Sequence, residues 1–340
     1  MRFLVIGLGS MGKRRVRNLI ALGYQDSIAG FDIQEARREE SKKYNIEIYD
    51  DFTTAMTQHK PDAVLISTPP NLHMEYAYKV VEVGMSCFIE ASVVDSQKIL
   101  ELSRIVEGKE LVVIPSSTMR YYPAPKKIKE LIGAGIIGKV LNYNYHTGQY
   151  LPDWHPWEDI GDFYVSNPDT GGAREIVPFE LTWLNDIFGD SKALACVRRK
   201  LTNISAEIDD IYHCILEYPD NVIGNLTVEV ISRPKATRDF RVIGSEGEIV
   251  FSGDTNILKY INTKMEEWET VNFDQGTVEE GYINPEEPYI NEVRDFISSA
   301  KAAKSGEIFN LPNTLEDDYK ILSTLYELEE ISEGRDDLSR

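Results

Sequence analysis

Gly7-Leu8-Gly9-Ser10-Met11-Gly12 follows directly on the apolar run Phe3-Leu4-Val5-Ile6 and leads into a segment with Val16, Leu19, Ile20 and Leu22 at helical spacing. The pattern reads as strand, tight turn, helix. In such a turn the first glycine bends the chain sharply, the second lets backbone approach a pyrophosphate, and the third lets helix and strand pack closely. An anion then rests on the helix N-terminus. Gly7, Gly9, Ser10, Met11 and Gly12 are therefore candidate cofactor-binding residues. Asp32 closes a second apolar stretch, Ile28-Ala29-Gly30-Phe31, at about the 20-residue spacing that such a unit uses for its acid. A carboxylate there accepts hydrogen bonds from the adenosine ribose and repels a 2′-phosphate, so the expected cofactor is NAD rather than NADP.

Strand-like and helix-like segments alternate through about residue 118, with apolar runs over 63–67, 86–90 and 111–114. That alternation implies parallel strands with crossover helices, and ligands at the strands' carboxyl ends. Three loops leave such ends: the glycine turn, Ser67-Thr68-Pro69-Pro70-Asn71, and Glu90-Ala91-Ser92. After Pro115 a helix is expected over 124–132. Alternating segments follow over 140–150, 194–201, 211–218, 222–231, 238–243 and 248–251, divided by turns such as Pro219-Asp220-Asn221 and Gly244-Ser245-Glu246-Gly247. These suggest an antiparallel sheet. Closing helices are expected over 286–303 and 314–331, the second with Leu322, Leu325, Leu328 and Ile331 on one face. The expectation is an α/β chain of two domains. Residues 1–119 form a Rossmann dinucleotide-binding domain, and residues 120–340 an α+β domain with a large, mostly antiparallel open sheet for substrate binding and oligomerisation.

The 340 residues carry 36 Lys and Arg against 56 Asp and Glu, a formal charge of −20. Such a field repels nucleic-acid backbones and anionic membranes, so neither is an expected partner. Three cysteines, Cys87, Cys196 and Cys214, fit small core thiols in a reducing compartment better than a disulfide framework. No apolar run approaches the roughly 20 residues of a membrane span. A cytoplasmic location is expected. No histidine, cysteine or acidic spacing indicates a metal site.

The order of short motifs resembles the glucose-fructose oxidoreductase/inositol dehydrogenase/rhizopine catabolism (Gfo/Idh/MocA) family along nearly the whole chain. The matching residues are the glycine turn, Ser67-Thr68-Pro69-Pro70-Asn71-Leu72-His73, and Glu90 in the slot of the family's Glu-Lys-Pro. Arg120-Tyr121, Pro123-Ala124, Ile137-Gly138-Lys139-Val140 and Gly171-Gly172-Ala173 continue the series. The resemblance implies that Thr68, Pro69, Asn71, His73, Glu90 and Arg120 lie by the cofactor and that Tyr121 lies by the substrate. The stretch Gly148-Gln149-Tyr150-Leu151-Pro152-Asp153-Trp154-His155-Pro156-Trp157-Glu158-Asp159 looks like a signature of relatives near surface-sugar and sialic-acid-type biosynthesis. Aromatic faces suit sugar C–H surfaces and carboxylates suit hydroxyls, which makes Tyr150, Asp153, Trp154 and Trp157 candidate substrate contacts.

Departures from the family fall on its chemistry. The lysine of Glu-Lys-Pro is replaced by Ala91. The histidine that relatives carry after the Gly-Gly pair is absent, its slot falling on Glu180 or on Phe179 according to the alignment. Pro178 is expected to disturb a helix begun at Ala173. Glu175 as base, Arg174 as a carboxylate anchor and His155 as a proton-exchanging imidazole are the candidate catalytic residues. The expected activity is NAD-dependent oxidoreduction of a sugar, sugar acid or nucleotide-sugar by a homodimer or homotetramer. Two alternatives stay open: a cofactor- and sugar-binding protein without net redox turnover, and an epimerase or glycoside-cleaving relative that uses tightly bound NAD.

Overall fold

A computed structural model describes residues 1–154, 159–162, 164–309 and 311–337. The chain divides into two compact units: Met1–Thr118 with Asn284–Tyr319, and Met119–Ile283 with Lys320–Arg340.

The first unit opens with β1 (Phe3–Ile6), α1 (Ser10–Ala21), β2 (Ile28–Phe31), α2 (Glu35–Ser41), β3 (Glu47–Tyr49) and α3 (Phe52–His59). It continues with β4 (Ala63–Ile66), α4 (His73–Glu82), β5 (Ser86–Ile89), α5 (Ser96–Val106) and β6 (Val113–Pro115). Every strand pair in the sheet is parallel, in the order β3-β2-β1-β4-β5-β6. The order reverses between β1 and β4, the switch point outside which such sheets bind dinucleotides. β1, β2, β4 and β5 are buried on both faces, which accounts for their uninterrupted apolar runs. The apolar stripe of α1, Val16 and Leu19, packs into the same core as Phe3, Val5 and Phe88.

The second unit contains α6 (Pro123–Gly133), β7 (Val140–Gly148), α7 (Ala173–Phe188), β8 (Lys192–Arg199), β9 (Ile211–Tyr218), β10 (Val222–Glu229), β11 (Thr237–Gly244), β12 (Gly247–Ser252), β13 (Ile257–Asn262) and β14 (Glu269–Asn272). Eight strands pair in the order β14-β13-β12-β11-β7-β10-β9-β8, all antiparallel except β10 beside β7. Side chains alternate across it as a half-buried sheet requires. Tyr143, Tyr145, Leu226, Val228, Phe240 and Val242 are buried, whereas Asn144, His146 and Arg241 are exposed. Trp183 and Phe188 of α7 pack on this buried face, against Tyr145 and Phe240 and against Tyr143 respectively.

Two further helices are α8 (Glu287–Lys304) and α9 (Leu315–Asp337). The structure corrects the continuous second domain expected over 120–340, because α8 belongs to the first unit. Val293, Phe296, Ile297, Ala300 and Ala303 join its core, with the Phe296 ring 5.9 Å from Phe88. A helical apolar stripe states that a face is buried but not which sheet it covers.

A second correction concerns α7, which runs unbroken through Pro178. That proline removes one N–H from the ladder, and an interior proline costs about 3 kcal/mol. Val177, Leu181 and Leu184 are wholly buried on the same helix, and the burial of such a face offsets the loss. Among the described residues no helix is long and apolar enough to cross a membrane, and no cluster of His, Cys, Asp or Glu could hold a metal ion. Cys87, Cys196 and Cys214 are free and buried, and burial pushes the Cys87 thiol up to about 12.

Candidate functional site

In the first unit the glycine turn is dictated by close backbone approaches. Gly7 has φ +86°, and a Cβ there would stand 2.5 Å from the Ser67 carbonyl oxygen. A Cβ on Gly12 would stand 1.8 Å from the Gly7 carbonyl oxygen. No side chain caps α1 and no acid lies in its first turn, so Ser10 and Met11 begin a helix whose positive end is not neutralised from within. Asp32 is buried at the end of β2. Its Oδ2 accepts from the Leu8 N–H at 2.7 Å and its Oδ1 from the Gln34 N–H at 2.8 Å, which fixes the carboxylate against the turn.

The loop after β4 is tied from behind. His73 is buried, which lowers its pKa and favours the neutral imidazole, and its Nε2 meets the Thr68 carbonyl oxygen at 2.9 Å. The Thr68 hydroxyl is shielded from solvent without a protein partner, while Pro69 is half-buried and Asn71 exposed. An unpartnered hydroxyl, an uncapped helix start and an anchored acid suit a group carrying ribose hydroxyls and phosphates. Glu90 is engaged internally. Arg15 donates to it from Nε at 2.6 Å and Nη2 at 2.8 Å, and the Ser67 hydroxyl donates at 3.0 Å. Arg15 Nη2 also lies 3.1 Å from Glu292, whose carboxylate accepts from Ser116 Oγ, the Ser117 N–H and Thr118 Oγ1. Glu90 thus supports the loop ends through Arg15. Sequence spacing gave no sign of this network, since Glu292 lies on a helix read as part of another domain.

In the second unit Gly172, at φ +66°, caps α7. Glu175 lies in that helix's first turn. Burial pushes its carboxyl up to about 8, opposed by the Tyr164 hydroxyl 3.4 Å away. Arg174 is committed elsewhere: its Nε and Nη2 reach Glu329 at 2.7 and 3.3 Å, and its Nη1 donates to the Asp169 carbonyl. This corrects its expected place as a carboxylate anchor, because the donors that would grip a substrate already hold the protein together.

Glu180 is fully buried and accepts from Tyr145 Oη at 2.8 Å and Trp183 Nε1 at 2.7 Å, with Arg238 Nη2 3.0 Å from its other oxygen. Arg238 was missed by sequence reading because its partner lies 58 residues away. Phe179 is half-buried on the same helix. Arg120 donates from Nε to the Thr182 carbonyl at 2.9 Å, and Tyr121 is buried. The Tyr150 N–H donates to the Ser232 carbonyl at 2.9 Å, and Arg233 stacks 4.2 Å from the Tyr150 ring centroid. Asp153 is exposed. Trp154 is half-buried with its indole N–H shielded and unpartnered. His155 and Trp157 lie outside the described residues.

Residues 1–116 match the oxidoreductase family with the NAD-binding Rossmann fold, and residues 126–250 match the GFO/IDH/MocA C-terminal domain. The chain belongs to the Gfo/Idh/MocA family. Curated relatives include an uncharacterized oxidoreductase of Synechocystis sp., 25% identical over 67% of this chain and 64% of its own length. The D-xylose 1-dehydrogenase (NADP(+)) of Hypocrea jecorina is 26% identical over 64% of this chain and 60% of its own. A 2,7-anhydro-N-acetylneuraminate hydratase of Mediterraneibacter gnavus is 28% identical over 30% of this chain and 27% of its own. The matches thus span under two thirds of the length of these relatives. Among solved structures, levoglucosan dehydrogenase in complex with NADH and levoglucosan aligns with TM-score 0.82 at 17% identity, covering 98% of this chain and 97% of that one. An inositol dehydrogenase homolog from Azotobacter vinelandii, complexed with NAD+, aligns with TM-score 0.80 at 15% identity, over 98% and 95% of the two chains. At these identities the structural likeness speaks for the shared Gfo/Idh/MocA fold.

Proposed function

We propose that this Gfo/Idh/MocA chain is an NAD-dependent oxidoreductase of a sugar, sugar acid or nucleotide-sugar, with Glu175 as its proton-transfer group. The observation that carries the reading is the Glu175 carboxyl, raised to about 8 in the first turn of α7 directly after the family's Gly-Gly pair. A carboxyl that titrates near neutrality takes a proton in one direction of reaction and returns it in the other, the task of the histidine this chain lacks. Ala91 and Phe179 can move no proton. His155 remains part of the proposal as the one imidazole of the tryptophan loop, and Tyr121, Tyr150, Asp153, Trp154 and Trp157 as its sugar contacts. Bound NAD supplies the hydride acceptor. Gly7, Gly9, Ser10, Met11, Gly12, Asp32, Thr68, Pro69 and Asn71 hold it, with His73 and Glu90 supporting those loops and Arg120 assigned by the family motif.

We further propose a cytoplasmic homodimer or homotetramer formed through the open face of the eight-stranded sheet. That face carries exposed Leu194, Val197 and Ile243 beside polar Asn144, His146 and Arg241, and subunit interfaces are commonly mixed in this way.

The test is NADH formation from NAD+ with a panel of neutral sugars, uronic acids and nucleotide-sugars, repeated with Glu175→Gln. Turnover that falls about 10²- to 10⁴-fold in the variant, with NADH affinity unchanged, supports the assignment. Wild-type protein that binds NAD and a panel sugar but neither releases NADH nor converts the sugar overturns it in favour of a binding protein. Conversion without released NADH points instead to internal redox on retained cofactor. The absence of the family's lysine and histidine favours those two readings.

A further inference from the structure

Gly9, the glycine over which a pyrophosphate passes, is covered by a side chain from another element. Arg37 Nη1 lies 2.9 Å, and its guanidinium carbon 3.5 Å, from where a Cβ on Gly9 would stand. Arg37 belongs to the first turn of α2, five residues beyond Asp32. The cations around it are spent. Lys13 pairs with Glu40 at 2.6 Å, and Arg38 Nη1 donates to the carbonyl oxygens of Asp32 and Ile33, both at 2.9 Å. Arg14 and Arg17 both reach Glu286, at 3.1 and 2.8 Å. Glu40, three residues along α2 from Arg37, is held by Lys13. Among the described residues the Arg37 guanidinium has no carboxylate partner. An unneutralised cation is therefore poised over a glycine turn, in a protein of formal charge −20.

We propose that Arg37 anchors the diphosphate of the cofactor, as a side-chain cation that supplements the α1 N-terminus. The helix end offers the equivalent of about half a positive charge, whereas a dinucleotide's diphosphate carries two negative charges. A planar guanidinium matches phosphate oxygens in geometry and charge. This assignment separates two tasks within one short stretch: Asp32 faces the ribose and sets NAD over NADP, and Arg37 supplies affinity that both dinucleotides share. It rests on cofactor binding alone and stands whether or not the protein turns over a sugar.

The experiment compares wild type, Arg37→Ala and Arg37→Gln for binding of NADH, NADPH, ADP and adenosine by titration calorimetry and displacement of NADH fluorescence, with thermal melts as the folding control. Expected is a loss of about tenfold or more for NADH and ADP, charge-assisted bonds being the stronger class. Adenosine should be unaffected, and NADPH should lose by the same factor as NADH. Wild-type affinity for NADH should also fall more steeply with added salt than that of either variant, since salt screens a partly exposed ion pair. Unchanged NADH and ADP affinity overturns the proposal. So does a loss confined to NADPH, which would place Arg37 on a 2′-phosphate, or an equal loss for adenosine, which would place it on the base.

Discussion

Arg15 meets Glu90 through Nε and Nη2 and, with the same Nη2, reaches Glu292 3.1 Å away. Two acids from β5's end and α8 therefore share one buried cation, which also lies 4.4 Å from the Phe88 ring centroid. Burial raises the Glu292 carboxyl and Arg15 opposes that rise.

Removing the shared cation should be among the most damaging single changes to the first unit. Breaking a buried pair by deleting one partner costs about 3 to 5 kcal/mol, because it strands an uncompensated charge. Arg15→Met strands two. Denaturant unfolding should show a loss at least that large, and Glu90→Gln a smaller one, because the amide keeps an acceptor toward Arg15. A near-wild-type midpoint for Arg15→Met would mean that Glu292 is held by the Ser116, Ser117 and Thr118 donors and Glu90 by the Ser67 hydroxyl without help from the cation.

Stability should fall as pH rises through neutrality. Burial raises the Asp318 carboxyl from 3.8 to about 7 and the Glu175 carboxyl from 4.5 to about 8. Between the lower and upper values the folded chain binds more protons than the unfolded one, so the slope of unfolding free energy against pH is negative. Stability from these two groups is full below the lower values and lost as pH climbs through the upper ones. Asp318→Asn should flatten the decline, its melting temperature gaining on wild type as pH rises from about 4 to about 7 and keeping that gain above it. Parallel curves for the two proteins would refute the assignment.

The same Glu175 carboxyl should shape the reaction. On the proposed assignment of Glu175 as the proton-transfer group, sugar oxidation requires the carboxylate and sugar reduction the carboxylic acid. The oxidative kcat should rise with pH to a plateau above about 8 and the reductive kcat fall over the same range. Steady-state profiles in both directions measure this, and Glu175→Gln should erase the dependence.

Cofactor choice should rest on Asp32. Asp32→Ala is expected to narrow the preference for NADH over NADPH in titration calorimetry, and an unchanged preference would remove the carboxylate from the ribose. Gly12→Ala should abolish binding of both, since its Cβ would stand 1.8 Å from a backbone oxygen that has no room to retreat.

Local grammar made the first unit legible. Gly7 to Gly12 behind Phe3 to Ile6 specifies a turn that few sequences build otherwise, and the parallel strands follow from their two-sided burial. The expected strand at 211–218 matches β9 in full. Less was readable where partners come from afar. β3 has only Ile48 between Glu47 and Tyr49 to mark it, and β14 is almost wholly polar, so neither shows a period. Glu180 reads only as one of two slots for the family's missing histidine until Arg238, Tyr145 and Trp183 close around it. Arg174 reads as available until Glu329 arrives from the far end of the chain. Pro178 misled because a local penalty was weighed without the buried face that outweighs it.

The return of α8 to the first sheet has a consequence for how the protein is made. Phe88 and its neighbours lack their cover until Phe296 and Ala300 leave the ribosome, after every strand of the second sheet has been synthesised. At about 5 to 20 residues per second that interval lasts roughly ten seconds or more. The amino-terminal unit is therefore begun first and finished later, and a nascent chain carries an open apolar flank through the interval. Chaperone dependence during translation, and failure of a fragment ending near residue 119 to stay in solution, are the marks that such a schedule leaves.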